Sequence, residues 1–369
     1  MQPTTPRDDG GDQRLQTSGS VNGSLLIRTL RSCICRPKFW KYLILAVILL
    51  LVVQLSLTTL FHKKYGSMLY LLSVQGRFRW KNETNSTSPN DTETSGASVC
   101  DKKELCPTVP PNLVGVLKIN TTVPSIEEQE SNSSKLEPGG RYRPAECRSR
   151  HRVAIIIPYR NRAYHLPVFL YHMLPILQRQ QLDFAIYIVE QAGNGTFNRG
   201  KLMNVGALES LKLYSYDCFI FHDIDLLPED DRNLYTCPQQ PRHMSVAVST
   251  LGYKLLSPDM FGGVCAMTVP QFKAVNGFSN IFWGWGGEDD DMANRVKFHG
   301  FVISRYPEPI ARYLMLKHQK AVPSPGRFQR VYEGKNKLTT EGLNNLKYKV
   351  LDVKLHRQYT WILANIETA

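Results

Sequence analysis

Cys218-Phe-Ile-Phe-His-Asp-Ile-Asp225 reads as a buried strand that delivers two carboxylates at its end. The apolar run Cys218–Phe221 is unbroken, which suits a strand of a parallel sheet covered on both faces. Asp223 and Asp225 are one residue apart, so a continuing strand would aim both at the same face. Hard oxygen ligands at that spacing suit a Mg²⁺ or Mn²⁺ that also holds a diphosphate. An Asp-X-Asp pair alone is equally a solvated strand end; its place after a central strand is what raises it.

Working upstream, Val153–Ile157 and Phe184–Val189 are two more runs of the same kind, the first stopped by Pro158. Between the three lie helical patterns. His165–Gln180 is apolar at Leu166, Phe169, Leu170, Met173, Leu174 and Leu177, and Arg199–Tyr214 at Leu202, Val205, Leu208 and Leu211. Strand–helix–strand–helix–strand predicts a doubly wound α/β unit. Ligands of such sheets bind beyond the carboxyl ends of the strands. Pro158, Tyr159, Arg160, Arg162 and the segment Asp223-Ile224-Asp225 fall there. Arg160, Arg162 and the Arg199 of Phe197-Asn-Arg199 have the fork geometry that grips a diphosphate.

Working downstream, Phe282-Trp-Gly-Trp-Gly-Gly-Glu-Asp-Asp-Asp291 sets two tryptophans among three glycines, then four acids, and Met292–Val296 reads as a helix. Flexible glycines beside a large aromatic such as Trp285 suggest a movable lid. Acids suit the first turn of a helix, but four exceed what capping needs, and carboxylates beside aromatic faces commonly hold sugars. In Met315-Leu-Lys-His318 the Met and His could meet on a helical turn or at a bend. Imidazole suits Mn²⁺, whereas thioether is an unusual ligand for it.

The chain has 369 residues, 42% hydrophobic and 21% charged, which excludes wholesale disorder. A mean hydropathy of −0.27 and a single long apolar run exclude a multispanning protein. Net charge is +13, but the bases are scattered and part of them flank the apolar run, so nucleic-acid binding is not expected. Tyr42–Phe61 carries no charge over 20 residues. As a helix it spans about 30 Å, the hydrocarbon thickness of a bilayer. It is read as a signal anchor, because 41 mostly polar residues precede it and no small-residue cleavage site follows. Arg28, Arg31, Arg36, Lys38 and Lys41 before it, against Lys63 and Lys64 after, place the N-terminus in the cytosol. The sequons at Asn82, Asn85, Asn90, Asn120, Asn132 and Asn194 all follow the span and agree with a lumenal C-terminal part. Residues 62–105 read as a polar, glycosylated stem, with a second loop-like stretch from Ser125 to Pro138. The expected organisation is a tail (1–41), an anchor (42–61), a stem (62–105) and one lumenal domain (106–369). Six of eight cysteines are lumenal, where disulfides form, and no spacing resembles a zinc site.

Taken together, WGWGGEDDD (283–291), FGGV (261–264), DID (223–225), IIIPYRNR (155–162), FNRGKLMNVG (197–206) and MLKH (315–318) resemble the β-1,4-galactosyltransferase family of Golgi type II membrane proteins. The resemblance runs from about Cys106 to the C-terminus. It implies the GT-A nucleotide-diphospho-sugar fold, a UDP-sugar donor and a terminal N-acetylglucosamine acceptor. It implies Mn²⁺ held by Asp225, Met315 and His318, with Asp223 close to the donor. Pro158, Tyr159, Arg160, Arg162, Phe197 and Arg199 match nucleotide-binding positions. Trp285 matches a mobile-loop tryptophan, Asp289 the catalytic base, and Glu288 and Asp290 sugar contacts. Gly263, Arg327 and Phe328 match acceptor contacts. Cys106–Cys147 and Cys218–Cys237 match the family's disulfides, which leaves Cys100 and Cys265 over.

The sequence departs from the family at Met260, where galactose-transferring members usually carry Tyr before Phe-Gly-Gly. Met lacks the rigid ring and adapts its shape, so room for an N-acetyl group at C2 of the donor makes UDP-N-acetylgalactosamine the expected donor, with UDP-galactose the alternative. The loop between His318 and Arg327 is about three residues shorter than in the family's best-known members. An inactive, lectin-like glycan binder is the reading from another class; the retention of Asp225, Met315, His318 and Asp289 argues against it.

Overall fold

The computed structural model describes residues 48–51, 53, 54, 103–319 and 321–367. The chain divides into two units, Met1–Ala97 and Ser98–Ala369. In the first unit the described residues are helical, and Ile48, Leu49, Leu50, Leu51 and Val53 are exposed. Most of the expected anchor and all of the stem before Lys103 lie outside the described residues. No helix among those described is long and apolar enough to cross a membrane.

The second unit is built on a seven-stranded sheet. Its strands are β1 (Arg152–Tyr159), β2 (Asp183–Gln191), β3 (Cys218–His222), β5 (Arg242–His243), β7 (Val264–Thr268), β9 (Lys349–Leu355) and β10 (Thr360–Asn365), in the order β5-β7-β3-β1-β2-β10-β9. The central strands β3, β1, β2 and β10 are parallel, and Ile155 of β1 faces Ile186 on one side and Ile220 on the other. Strands β5, β7 and β9 pair antiparallel at the edges. A second, three-stranded sheet is formed by β4 (Leu226–Pro228), β6 (Ala247–Val248) and β8 (Arg312–Met315).

The apolar runs are explained by helices on both faces. Helix α2 (His165–Arg179) covers one face with Phe169, Met173 and Leu177 against Val153, Ile155 and Ile157. Helix α3 (Arg199–Leu213) covers the other with Leu202, Met203 and Val205 against Ala154 and Ile156. Each such apolar side chain, fully buried, contributes about 1.5–3 kcal/mol. Helix α3 comes close to the sheet because residue 206 is glycine: a Cβ there would lie 2.5 Å from Ile156 Cγ2 and 2.7 Å from Val189 Cγ2.

The segment expected as a loop from Ser125 to Pro138 instead contains helix α1 (Ile126–Ser133). Ser125 Oγ accepts from Glu128 N, and Glu128 returns a carboxylate to Ser125 N, a reciprocal cap that holds a short polar helix. That helix has a structural task. Pro175, inside α2, removes the donor that would reach the Tyr171 carbonyl four residues back. Asn132 Nδ2 supplies it instead, at 3.3 Å. Both expected disulfides, Cys106–Cys147 and Cys218–Cys237, are formed. Cys265 is free and buried, and Cys100 lies outside the described residues.

Candidate functional site

Strand β3 ends at His222, one residue before the carboxylates, so Asp223 and Asp225 sit on a turn and not on one strand face. They serve two directions. Arg199, the first residue of α3, donates Nε to Asp223 Oδ1 at 2.6 Å, Nη1 to Glu288 Oε1 at 3.2 Å and Nη2 to the Gly263 carbonyl at 3.3 Å. Asp225 faces His318, whose Nε2 is 2.8 Å from Asp225 Oδ2. Burial pushes the Asp223 carboxyl up to about 6, against the pull of Arg199. Burial also raises Asp225, opposed by His318. Burial would lower the Arg199 guanidinium, but Asp223 and Glu288 overcome it and hold the charge on.

The turn is fixed from behind by buried polar groups that the sequence reading did not single out. His222 lies within 2.8 Å of the Asp223 carbonyl through Nδ1 and of Tyr235 Oη through Nε2. A carbonyl only accepts, so Nδ1 carries the proton and Nε2 accepts from the tyrosine. Burial pushes the His222 ring down to about 3, which keeps it neutral in that arrangement.

Met315 and His318 do not share a helical turn. Met315 ends β8 and lies opposite Leu226 in the register with β4, while Leu316 N donates to the Asp225 carbonyl at 2.7 Å. His318 follows in irregular chain. Its Nδ1 lies 2.8 Å from the Gln319 carbonyl and 3.5 Å from Arg162 Nη2. Donation to that carbonyl leaves Nε2 facing the Asp225 carboxylate, as a hydrogen-bond donor when the ring is charged and as a ligand atom when it is neutral. The imidazole nitrogen and the carboxylate oxygen, 2.8 Å apart, are separated much as two neighbouring ligands of one octahedral cation with bonds of about 2.0–2.2 Å would be. Carboxylate and imidazole therefore fit a divalent cation, while the Met315 thioether accepts from Thr250 Oγ1 at 3.3 Å. Arg160 crosses to the next loop, donating Nη1 to the Gly195 carbonyl at 2.6 Å with its guanidinium 5.2 Å from the Phe197 ring centre.

The four acids open helix α5 (Glu288–Phe298), which follows the short helix α4 (Val269–Ala274) and is capped by Gly287 at φ 102°. That conformation favours glycine, and a Cβ would in any case stand 2.6 Å from Phe282 Cε1. Glu288 is buried, Asp289 half-buried and Asp290 exposed. Asp289 rests over Gly262: a side chain at residue 262 would run into Asp289 Oδ2. Ser245 Oγ donates to the Gly262 carbonyl at 3.1 Å and accepts from Val264 N at 2.9 Å, which sets the glycine pair. Gly262 was legible only as part of FGGV; Ser245 carried no signal.

Trp285 is 57% exposed. Its backbone pairs with the segment that precedes helix α6 (Arg327–Gly334), through Trp285 N to Val322 O at 3.3 Å and Ser324 N to Trp285 O at 2.9 Å. Arg327 stands between two rings, 5.4 Å from the Trp285 centre and 4.4 Å from that of Phe328. Thus the nucleotide candidates, the carboxylate turn, the Met–His pair, the acidic helix and the Arg-Phe pair surround one end of the sheet, at the carboxyl ends of β1, β2 and β3.

The family profile described as the N-terminal region of glycosyl transferase group 7 matches residues 106–238, and that described as the N-terminal domain of galactosyltransferase matches 242–319. The chain is 48% identical to β-1,4-galactosyltransferase 3 of Cricetulus griseus over 279 residues, 74% of this chain and 71% of that one. It is 48% identical to β-1,4-galactosyltransferase 1 of Mus musculus over 267 residues, 71% and 67% of the two chains. The chain belongs to the β-1,4-galactosyltransferase family. As a member it is a UDP-sugar-dependent hexosyltransferase with β-1,4-galactosyltransferase activity. The crystal structure of the catalytic domain of Drosophila β1,4-galactosyltransferase 7 in complex with xylobiose aligns at 28% identity with a TM-score of 0.47, over 59% of this chain and 95% of that one.

In this galactosyltransferase, burial and the neighbouring Asp289 raise the Glu288 carboxyl from 4.5 to about 7. A raised carboxyl favours the folded state while protonated. Its contribution to stability is therefore present below about pH 4.5 and lost as pH rises to about 7. Glu288→Gln removes that loss, so melting curves from pH 5 to 8 should fall less steeply with pH in the variant; an unchanged slope contradicts the assignment. Among the sequons, Asn120 and Asn194 are exposed, whereas Asn132 is half-buried with its Nδ2 already engaged on Tyr171. Asn82, Asn85 and Asn90 lie outside the described residues.

Proposed function

We propose that this enzyme is an inverting, Mn²⁺-dependent GT-A glycosyltransferase that adds a β-1,4-linked sugar to terminal N-acetylglucosamine, and that its donor site takes UDP-N-acetylgalactosamine in preference to UDP-galactose. The observation that carries the reaction is the convergence of Asp223, Asp225, Arg199 and Asp289 with the Met315–His318 pair at one end of the sheet. Asp225, Met315 and His318 would hold the cation, which when bound supplies positive charge to the departing diphosphate. Arg160, Arg162 and Arg199 bind and orient that diphosphate, with Pro158, Tyr159, Phe197 and Ile224 forming the nucleotide's bed. Asp289 takes the proton from the acceptor 4-hydroxyl, and that oxygen attacks the anomeric carbon from the face opposite UDP. An α-linked donor sugar thereby becomes β-linked. Glu288 and Asp290 hold sugar hydroxyls, while Gly263, Arg327 and Phe328 bind the acceptor. Trp285 closes over the pair and excludes water.

The donor preference rests on Met260. Arg305 Nη2 donates to the carbonyls of Met260 at 2.7 Å and Pro258 at 2.8 Å, so the backbone leading into Phe261-Gly-Gly263 is held while a flexible side chain occupies the position before it. The names of the relatives favour UDP-galactose as the second reading. Met260→Tyr should shift the ratio of kcat/KM for the two donors toward UDP-galactose by about 10-fold or more, equivalent to the 1–3 kcal/mol that a pocket gains or loses on a change of this size. A ratio unchanged by the substitution contradicts the assignment of Met260. The two disulfides suit an oxidising lumen, and residence as a single-pass type II Golgi membrane protein belongs to the same proposal.

A further inference from the structure

At the opposite edge of the sheet, where the parallel strands begin, lies a cleft of about 720 Å³. Arg152 opens β1, Asp183 opens β2 and Asp217 immediately precedes β3. The cleft is therefore one strand length, roughly 25 Å, from the carboxyl ends that carry the reaction. Its outer wall is the chain around Cys147, which the bond to Cys106 anchors.

The chemistry of this cleft is uneven. Its three carboxylates are each matched by an arginine: Glu137 with Arg143 at 2.5 Å, Asp217 with Arg152 at 2.6 Å and Asp183 with Arg141 at 3.6 Å. Arg148 and Arg150 line it as well, both exposed, and no carboxylate of the cleft remains to answer them. Arg150 spends Nε on the Cys106 carbonyl at 2.6 Å, which steadies the side chain without neutralising it. Behind the lining, the Arg141 guanidinium lies 3.5 Å from the Tyr214 ring centre and Tyr214 Oη donates to Asp183 Oδ2 at 3.0 Å, so the innermost carboxylate is engaged within the protein.

We propose that this cleft is an exosite for an anionic saccharide, a glycan segment bearing sulfate or carboxylate groups. The volume falls within the range of ligand sites and exceeds what one inorganic anion needs. Arginine forks suit sulfate and carboxylate alike. A second saccharide site also befits an enzyme whose acceptors are carried on larger glycans, because tethering raises the effective concentration of the acceptor at the catalytic end.

The test is fluorescence anisotropy of a labelled heparin-derived tetrasaccharide with the full 369-residue chain in neutral detergent, under saturating UDP. The expected result is salt-sensitive binding that UDP does not displace. Arg148→Glu with Arg150→Glu should weaken it at least about 10-fold, as expected for charge-assisted contacts, with transfer to free N-acetylglucosamine unchanged. Lys349→Glu, at the end of β9 that pairs with Asn365, should leave it intact. Displacement by UDP would assign the saccharide to the catalytic site and overturn the proposal. So would equal loss in the β9 variant, or no binding at all. Capture of phosphatidylserine vesicles with no binding of the tetrasaccharide would reassign the cleft to lipid headgroups.

Discussion

Asp289→Asn should lower the transfer rate by about 10²–10⁴-fold, the usual worth of a positioned general base, while UDP-sugar affinity stays within about twofold. The geometry separates the two effects. Asp289 Oδ2 fills the space left by the missing side chain of Gly262, and Oδ1 accepts from Asp290 N at 3.1 Å. The amide is nearly isosteric, so the fold around Gly262 is retained while the proton acceptor is lost. The nucleotide candidates Arg160, Arg162 and Phe197 lie on other loops. Single-turnover kinetics and donor titration of the same preparation read both quantities. A rate unaffected by the substitution would assign proton removal elsewhere, and a parallel loss of donor affinity would make Asp289 a donor-binding residue.

The second large effect is on stability. Arg295→Met should destabilise the protein by about 3–5 kcal/mol, because it strands two buried carboxylates. The Arg295 side chain is fully buried in α5, with Nε 2.5 Å from Asp291 Oδ2, Nη2 2.9 Å from Glu341 Oε2 and Nη1 2.7 Å from the Glu341 carbonyl. Glu341 in turn accepts from Asn280 N. One guanidinium thus ties the acidic helix to the segment after α6 and to the chain leading into Trp283-Gly-Trp285. Denaturant unfolding measures the loss. Arg295→Met combined with Glu341→Gln should recover part of it, since one stranded charge is then removed. A midpoint shift equivalent to less than about 1 kcal/mol would show that this triad does not hold the helix.

How much of this was legible in the sequence follows from where each signal lies. The three buried strands and two covering helices announced themselves by unbroken apolar runs and 3.6-residue periodicity, and each was recovered with ends within two residues. Pro158 reads as a stop in the sequence, yet β1 runs on through Tyr159: a proline tolerates strand dihedrals wherever the ladder does not need its missing N–H. The short strands β4, β5, β6 and β8 were invisible because two to four residues carry no periodicity. Helix α1 was missed because its composition is polar; its signal was the capping pair Ser125 and Glu128, not hydrophobicity.

The site was legible as residue types and less so as geometry. The shared strand face proposed for Asp223 and Asp225 fails because the strand ends at His222, and what unites the two carboxylates is a turn held by the His222–Tyr235 pair. Met315 and His318 lie on a strand end and the irregular chain after it, not on one helical turn. The partners that position these groups, Ser245, Tyr235, Arg295 and Arg305, are scattered along the chain and join the site only through tertiary contacts, which no local pattern encodes.

The most direct test of the central claim is the stereochemistry of the product. Proton NMR of the enzyme acting on UDP-galactose and UDP-N-acetylgalactosamine, each with N-acetylglucosamine and Mn²⁺, follows the anomeric signal and the linkage position as they appear. The account predicts a β-configured sugar at the acceptor 4-oxygen from either donor that reacts, with the N-acetylated donor used faster. An α-linked product, or attachment at another hydroxyl, would contradict attack by an Asp289-deprotonated 4-hydroxyl from the face opposite UDP.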